Sequence, residues 1–146
     1  MDHRKLAASL AASLLAASTA MAASRTEAPA SRIATEFSAW AGSHQNAEAL
    51  VNGLHQGTSI TIATTGPDRT VSLAGFTPGS RMDYDEIRAA LATARATLAR
   101  MGVRQPTAEQ IQAALIGGDV ESRGGRARNV QGTVAVLGGN PHLAAR

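Results

Sequence analysis

The chain has 146 residues, no cysteine and a net charge of +3 at neutral pH. This length suits one domain with one core, and the lack of cysteine excludes a disulfide framework, a thiolate nucleophile and a cysteine-bound metal. The single lysine is Lys5, so a Schiff-base lysine and a phosphate-loop lysine are excluded from the rest of the chain. The small net charge does not favour a nucleic acid or a membrane surface as partner.

The first 22 residues have the pattern of an export signal. Arg4 and Lys5 precede an apolar run over 6–20, and Ala20, Met21 and Ala22 form a small-x-small cleavage site. We expect a signal peptide that is cleaved near Ala22, and a bacterial protein that is periplasmic or secreted. The apolar run is too short and too rich in alanine to span a membrane, and no later segment is long enough. The sequence therefore predicts a soluble protein without a membrane span.

A leader and a helical region come next. Residues 23–32 combine Pro29 with small polar residues, which predicts a disordered leader after cleavage. Apolar residues then recur at helical spacing on both sides of Gly42 and stop before Gly57. This pattern predicts either one helix bent at Gly42 or two separate helices.

From residue 60 the apolar period changes from that of a helix to that of a strand. Ile60 and Ile62 alternate with Thr61 and Ala63, Val71 and Leu73 alternate with Ser72 and Ala74, and 65–69 has the composition of a turn. The alternation on both sides of a turn predicts a β-hairpin.

Two further helices are predicted at capping patterns. Asp83 is followed by Glu86, and Thr107 by Gln110, which is the spacing at which the two side chains cap a helix N-terminus reciprocally. The first helix carries an apolar stripe as far as Met101. We therefore expect two capped helices joined by a short loop.

The C-terminal part of the sequence predicts one further strand. An apolar run over 130–137 has strand character, and pairing with the hairpin is one option for it. Residues 138–146 are expected to form a flexible tail. The sequence thus predicts an α+β fold with a single domain over 33–137, built from N-terminal helical segments, a β-hairpin, two capped helices and one C-terminal strand.

Four short motifs in the middle of the chain form one pattern, namely Phe76-Thr77-Pro78, Met82-x-Tyr84, Gly102-x-x-x-Pro106-Thr107 and Ala113-Ala114-Leu115-x-Gly117-Gly118. The pattern resembles small exported proteins of proteobacteria that are uncharacterised. The resemblance covers 44–118, and it departs from those proteins at Asp83 and Asp85, where they carry glycine. It implies an exported α+β module and supplies no catalytic residue.

Arg123, Arg126 and Arg128 form the local cation cluster of the sequence, together with two glycines. Arginine binds oxyanions through a bidentate pair of donors, so this loop is a candidate site for an anionic ligand such as a polyanionic glycan or a nucleic acid. An ordinary polar loop is the competing interpretation, because polyanion binding uses several spaced cations.

Phe37 and Trp40 are candidates for a partner surface. A terminal helix that carries two aromatic side chains can dock on another protein, whereas packing into the core is the competing interpretation. An exposed Trp40 would favour the partner.

No metal site is predicted. His44, Glu48 and His55 share one helix face, but a solvated polar face explains them and no second segment offers further ligands. The acids at 83–86 fit a helix N-terminus better than a calcium loop or an acid–base pair.

These observations favour an exported, non-enzymatic interaction or structural module that binds a protein partner through an apolar surface. A binder of anionic ligands at Arg123, Arg126 and Arg128 is the alternative, and a small carboxylate-based hydrolase is the third. The sequence has no Gly-x-Ser-x-Gly, His-Glu-x-x-His or phosphate-loop motif, and it predicts no cofactor.

Overall fold

The computed structural model describes residues 28–122 and 124–136. This part of the chain contains four helices and two antiparallel hairpins, in the order α1 (Pro29–Ala41), α2 (His44–Gln56), β1 (Ile60–Thr65), β2 (Val71–Phe76), α3 (Tyr84–Arg100), α4 (Ala108–Ile116), β3 (Gly118–Glu121) and β4 (Ala127–Val130). The predicted α+β fold is confirmed, with its N-terminal helices, its first hairpin and its two capped helices. None of the described helices is long and apolar enough to cross a membrane.

The N-terminal boundary differs from the prediction. Helix α1 begins at Pro29, whereas the sequence predicted a disordered leader as far as residue 32. Proline suits the first turn of a helix, because its φ is already helical and its missing N–H would have no partner there. The predicted signal over 1–22 and the predicted tail over 138–146 lie outside the described residues.

Two separate helices, not one bent helix, form the N-terminal region. Gly42 adopts a φ of 88°, which ends α1 in the left-handed region. Ser43 then caps α2, because its side chain accepts a hydrogen bond from the backbone N–H of Asn46 at 3.0 Å.

All four helices and one face of the first hairpin enclose a single hydrophobic core. Its largest fully buried side chains come from α1 to α4, β1 and β3, and they are Phe37, Leu50, Val51, Leu54, Ile60, Ile62, Ile87, Leu91, Leu98, Ile111, Leu115 and Val120. Each such side chain stabilises the fold by about 1.5–3 kcal/mol relative to an exposed one.

The C-terminal strand lies earlier than predicted, because β4 ends at Val130, where the predicted run over 130–137 begins, and its partner β3 was not predicted. Strand β4 pairs with β3, and Val136 forms only one isolated bridge, with Pro78 just beyond β2. The backbone N–H groups of Thr133 and Val134 both donate to the carbonyl of Leu115 at 2.7 Å. Because these groups are bound at the end of α4, the run cannot continue as a regular strand along the first hairpin.

A buried amide joins the helical region to the first hairpin. The Asn46 side chain donates to the carbonyl oxygens of Ala41 at 2.8 Å and Ala63 at 2.6 Å, and its Oδ1 accepts from the N–H of Ala63 at 3.3 Å. These bonds end α1 and pair with β1 in the way that a neighbouring strand would.

Replacement of this amide is expected to destabilise the fold strongly. Asn46→Leu keeps a similar volume but leaves the buried carbonyl of Ala41 and the part-buried N–H and C=O of Ala63 without their side-chain partner, so the free energy of unfolding should fall by roughly 3 kcal/mol. Urea unfolding measures the change, and Asn52→Leu, at an exposed position of the same helix, is the control. Equal effects of the two substitutions would contradict this role.

The turn of the first hairpin contains a strained residue. The carbonyl of Gly66 accepts from the N–H of Arg69 at 3.0 Å, the N–H of Gly66 donates to the carbonyl of Thr70 at 2.8 Å, and Arg69 has a φ of 64°. This arrangement is a three-residue hairpin loop whose last position favours glycine.

Arg69→Gly should therefore stabilise the protein by about 1 kcal/mol, because glycine adopts the left-handed conformation without strain. Arg69→Ala is the matched control, since it removes the same side chain and keeps the steric cost. Thermal unfolding of both variants measures the difference. A gain in Arg69→Ala as large as that in Arg69→Gly would attribute the effect to the arginine side chain instead of the backbone.

Candidate functional site

Val71 and Leu73 stand out on the described surface. Both side chains are 64% exposed, and they are the large apolar side chains that the described residues leave exposed. They lie on β2 and point to the same face, since alternate residues of a strand share a face. A single exposed apolar residue is ordinary, but two neighbours on one strand form a patch that needs an explanation.

The outer face of the first hairpin is neutral. In the register of the two strands, Leu73 lies opposite Ala63 and Val71 lies opposite Thr65, while Thr61 lies opposite Gly75. None of these positions carries a charge. The hairpin therefore presents an uncharged face of methyl and hydroxyl groups, with Val71 and Leu73 as its largest apolar side chains.

The backbone of β2 is also open along one edge. Gly66 and Thr70 form a hydrogen-bonded pair, and bonded pairs alternate along an antiparallel ladder, so the N–H and C=O groups of Val71, Leu73 and Gly75 point away from β1. The carbonyl of Gly75 accepts from the Gln112 side chain at 3.1 Å. Within the described residues, the outward backbone groups of Val71 and Leu73 have no partner.

The corresponding edge of β1 is covered at Ala63. The outward N–H and C=O of Ala63 are both bound by the side chain of Asn46. On the inner face, the hydroxyl of Thr64 accepts from the N–H of Ala108 at 2.8 Å and so holds the start of α4 against β1. We call the outward backbone of Val71 and Leu73, together with their side chains, the open edge.

The turn next to the open edge is held by a side-chain bond. Oδ1 of Asp68 accepts from the Thr70 hydroxyl at 2.6 Å and from the Thr70 N–H at 3.3 Å. These bonds to the charged form lower the pKa of Asp68 below its ordinary value. The carboxylate is therefore ionised at neutral pH, and it fixes the residue that leads into β2.

The arginine cluster is only partly described. Arg123 lies outside the described residues, while Arg126 and Arg128 are exposed on the second hairpin. The Arg126 carbonyl accepts from the N–H and the hydroxyl of Ser122, which closes the hairpin loop. Neither arginine lines the cleft next to Met82 and Thr133 or the groove between α1 and α3. The described part of this loop thus presents two exposed arginines that line neither cleft.

Phe37 and Trp40 are core residues, which corrects the prediction that they form a partner surface. Phe37 is fully buried and Trp40 is 5% exposed. Their rings meet edge to face with centroids 6.2 Å apart, which is a favourable aromatic geometry. The apolar stripe of α1 packs against α2 and α3, so its aromatic side chains are enclosed by the protein's own helices.

The histidines of α2 do not converge. Nε2 of His44 lies 3.3 Å from Oε1 of Glu48, whereas the ring of His55 stacks on Tyr84 at 4.2 Å and its Nδ1 lies 2.9 Å from the Met82 carbonyl. Among the described residues, no group of three potential ligands is placed to hold a metal ion.

The acids at the start of α3 form a helix cap. Asp83 accepts from the backbone N–H of Glu86 at 2.8 Å, and Glu86 accepts from the N–H of Asp83 at 3.0 Å. Both carboxylates are therefore used by the predicted capping box.

The sequence pattern identified β2 but not the direction of its side chains. Val71 and Leu73 are outward, while the smaller Ala74 and the ring of Phe76 are buried. One feature of the sequence could have indicated the direction of the side chains: in β2 the small residues Ser72 and Ala74 alternate with larger apolar residues. Such a strand can turn either face to the core.

Comparison with known proteins yields no match to any family model, curated protein or solved structure.

Proposed function

We propose that this protein is an exported interaction module that binds an extended segment of a partner protein along the open edge. One observation carries the proposal: exposed apolar side chains and unpaired backbone groups occur together, at Val71 and Leu73. Strand addition uses both features, because main-chain hydrogen bonds supply affinity and alternate side chains supply specificity.

Neighbouring contacts limit the length of the bound segment. At one end the hairpin turn lies immediately before Val71, and at the other Gln112 occupies the carbonyl of Gly75. Just beyond β2, Val136 already pairs with Pro78. A partner strand thus has room for about five residues, or roughly 17 Å at the rise of an antiparallel strand.

The chemistry of the hairpin face favours an uncharged segment. An ionised side chain placed beside Val71 or Leu73 would lose solvation without meeting an opposite charge. We therefore expect apolar or β-branched residues at alternate positions of the partner.

A second copy of this chain is the less favoured occupant. Edge-to-edge pairing would add only Val71 and Leu73 of each copy to the interface. That contact falls well short of the roughly 1,200 Å² that specific, stable interfaces bury.

The compartment in this proposal comes from the N-terminal sequence pattern, whose residues lie outside the described part of the chain. Among the described residues, the alternative anion site offers only Arg126 and Arg128 in an open setting. The open edge is therefore the better supported surface.

A panel of blocked five-residue peptides, with valine or isoleucine alternating with threonine, tests the proposal. Binding should slow exchange of the Val71 and Leu73 amide protons in NMR spectra, because those protons become hydrogen-bonded. Leu73→Lys should weaken binding about tenfold, since it removes an apolar contact and places a charge on the edge.

Thr61→Lys is the matched control, because it adds the same charge to the same hairpin face but on β1. It should leave peptide binding within about twofold of the unmodified protein. The proposal fails if no peptide slows exchange at Val71 and Leu73. It also fails if Thr61→Lys weakens binding as much as Leu73→Lys, because the face and not the edge would then be the binding surface.

A further inference from the structure

A groove runs between α1 and α3, and none of its lining residues belongs to the hairpin. Its volume is about 680 Å³, within the range of sites that hold small molecules. The apolar part of the lining consists of Ala39, Trp40, Ala92, Ala96, Ala99 and Val103. The small alanine side chains leave the space, and Trp40, although only 5% exposed, forms part of the groove wall.

Trp40, which lines this groove, also carries an unused hydrogen-bond donor. The side chain is 5% exposed, and its Nε1 is buried without a partner among the described residues. A buried donor without an acceptor is costly. An oxygen-bearing ligand that reaches the indole N–H would remove that cost.

The polar lining of the groove has an excess of positive charge. Arg95 and Arg104 line the groove together with Glu36. The guanidinium carbon of Arg95 lies 4.5 Å from the centre of the Phe37 ring. Nη2 of the same arginine lies 3.9 Å from Oε1 of Glu36, which is a long ion pair. The same carboxylate is bound more closely by Arg88, at 2.9 Å, so Glu36 is shared between two arginines.

Arg104 has no ion pair or hydrogen bond within the described residues. The groove thus combines an apolar wall, one carboxylate that is already bound, and guanidinium groups that can bind an anion. Arginine binds carboxylates through paired donors, so the charge pattern is complementary to a carboxylate attached to an apolar body.

We propose that this groove binds a small amphiphilic carboxylate, with its apolar chain along the alanines and Trp40 and its head group at Arg104 and Arg95. This site is separate from the open edge and does not depend on the function proposed there. In this proposal the anion binds to Arg95 of α3 and Arg104 of the loop that follows α3, and not to the arginines of the second hairpin.

The sequence contains one tryptophan, so intrinsic fluorescence reports on this groove directly. Titration with decanoate should change the Trp40 emission saturably, because the alkyl chain lies against the indole. Decanol should bind at least about tenfold more weakly, since it lacks the charge that the arginines recognise. Decyl phosphate, titrated in parallel, distinguishes a carboxylate site from a general anion site.

Two pairs of variants localise the ligand. Ala96→Phe fills the groove and should abolish the decanoate response. Ala89→Phe should leave the response unchanged, because Ala89 is an exposed residue of the same helix that lines a different cleft, next to Met82 and Thr133. Arg104→Gln should weaken decanoate binding about tenfold, whereas Arg100→Gln should not. Far-UV circular dichroism and thermal unfolding confirm that each variant is folded.

Several results would overturn the proposal. A decanoate response that does not saturate, or that is equal for decanol, would show nonspecific partitioning. Loss of binding in Ala89→Phe but not in Ala96→Phe would place the ligand in the other cleft. Tighter binding of decyl phosphate than of decanoate would show that the groove prefers a phosphate-bearing amphiphile, and the carboxylate proposal would then be wrong.

Discussion

The buried side chain of Asn46 is the contact around which the rest of this fold is arranged. It binds the carbonyl that ends α1 and both outward backbone groups of Ala63 on β1, while its own backbone N–H is held by the Ser43 cap. One residue therefore ends a helix, starts the next and takes the place of a missing third strand. A backbone group that packing removes from water needs a partner, and Asn46 supplies that partner to Ala63, where α2 packs against β1.

The same contact explains why the two edges of the hairpin differ. On β1, Asn46 satisfies the outward backbone groups of Ala63, and Thr64 binds the start of α4. On the outer edge of β2, the described residues cover only the Gly75 carbonyl, through Gln112, and the strand has no charge or proline to protect the rest. Proteins usually protect such edges, because an unpaired apolar strand recruits other strands. The contrast between Ala63, which is bound, and Leu73, which is open, therefore supports the proposed binding surface, and the short length of the open edge restricts what it could bind.

Local signals in the sequence were sufficient for the elements that depend on neighbouring residues. The capping pairs of Asp83 and Thr107 and the alternation around Ile60 all correspond to observed elements. The C-terminal strand was misplaced because the backbone near Val134 is bound to the end of α4, a contact between distant parts of the chain. Likewise, no local pattern indicates that Asn46 reaches β1, or that Trp40 is enclosed by α3. The open edge and the groove both depend on such long-range packing.

The exchange rates of individual backbone amide protons in the free protein test the central claim most directly. Ala63 and Leu73 lie opposite each other in the hairpin, and both direct their N–H groups outward. If Asn46 closes one edge and the other is open, the Ala63 amide exchanges slowly and the Leu73 amide exchanges at a rate close to that of an unprotected peptide. Equal protection of the two amides would contradict the account, because the edge of β2 would then already be covered.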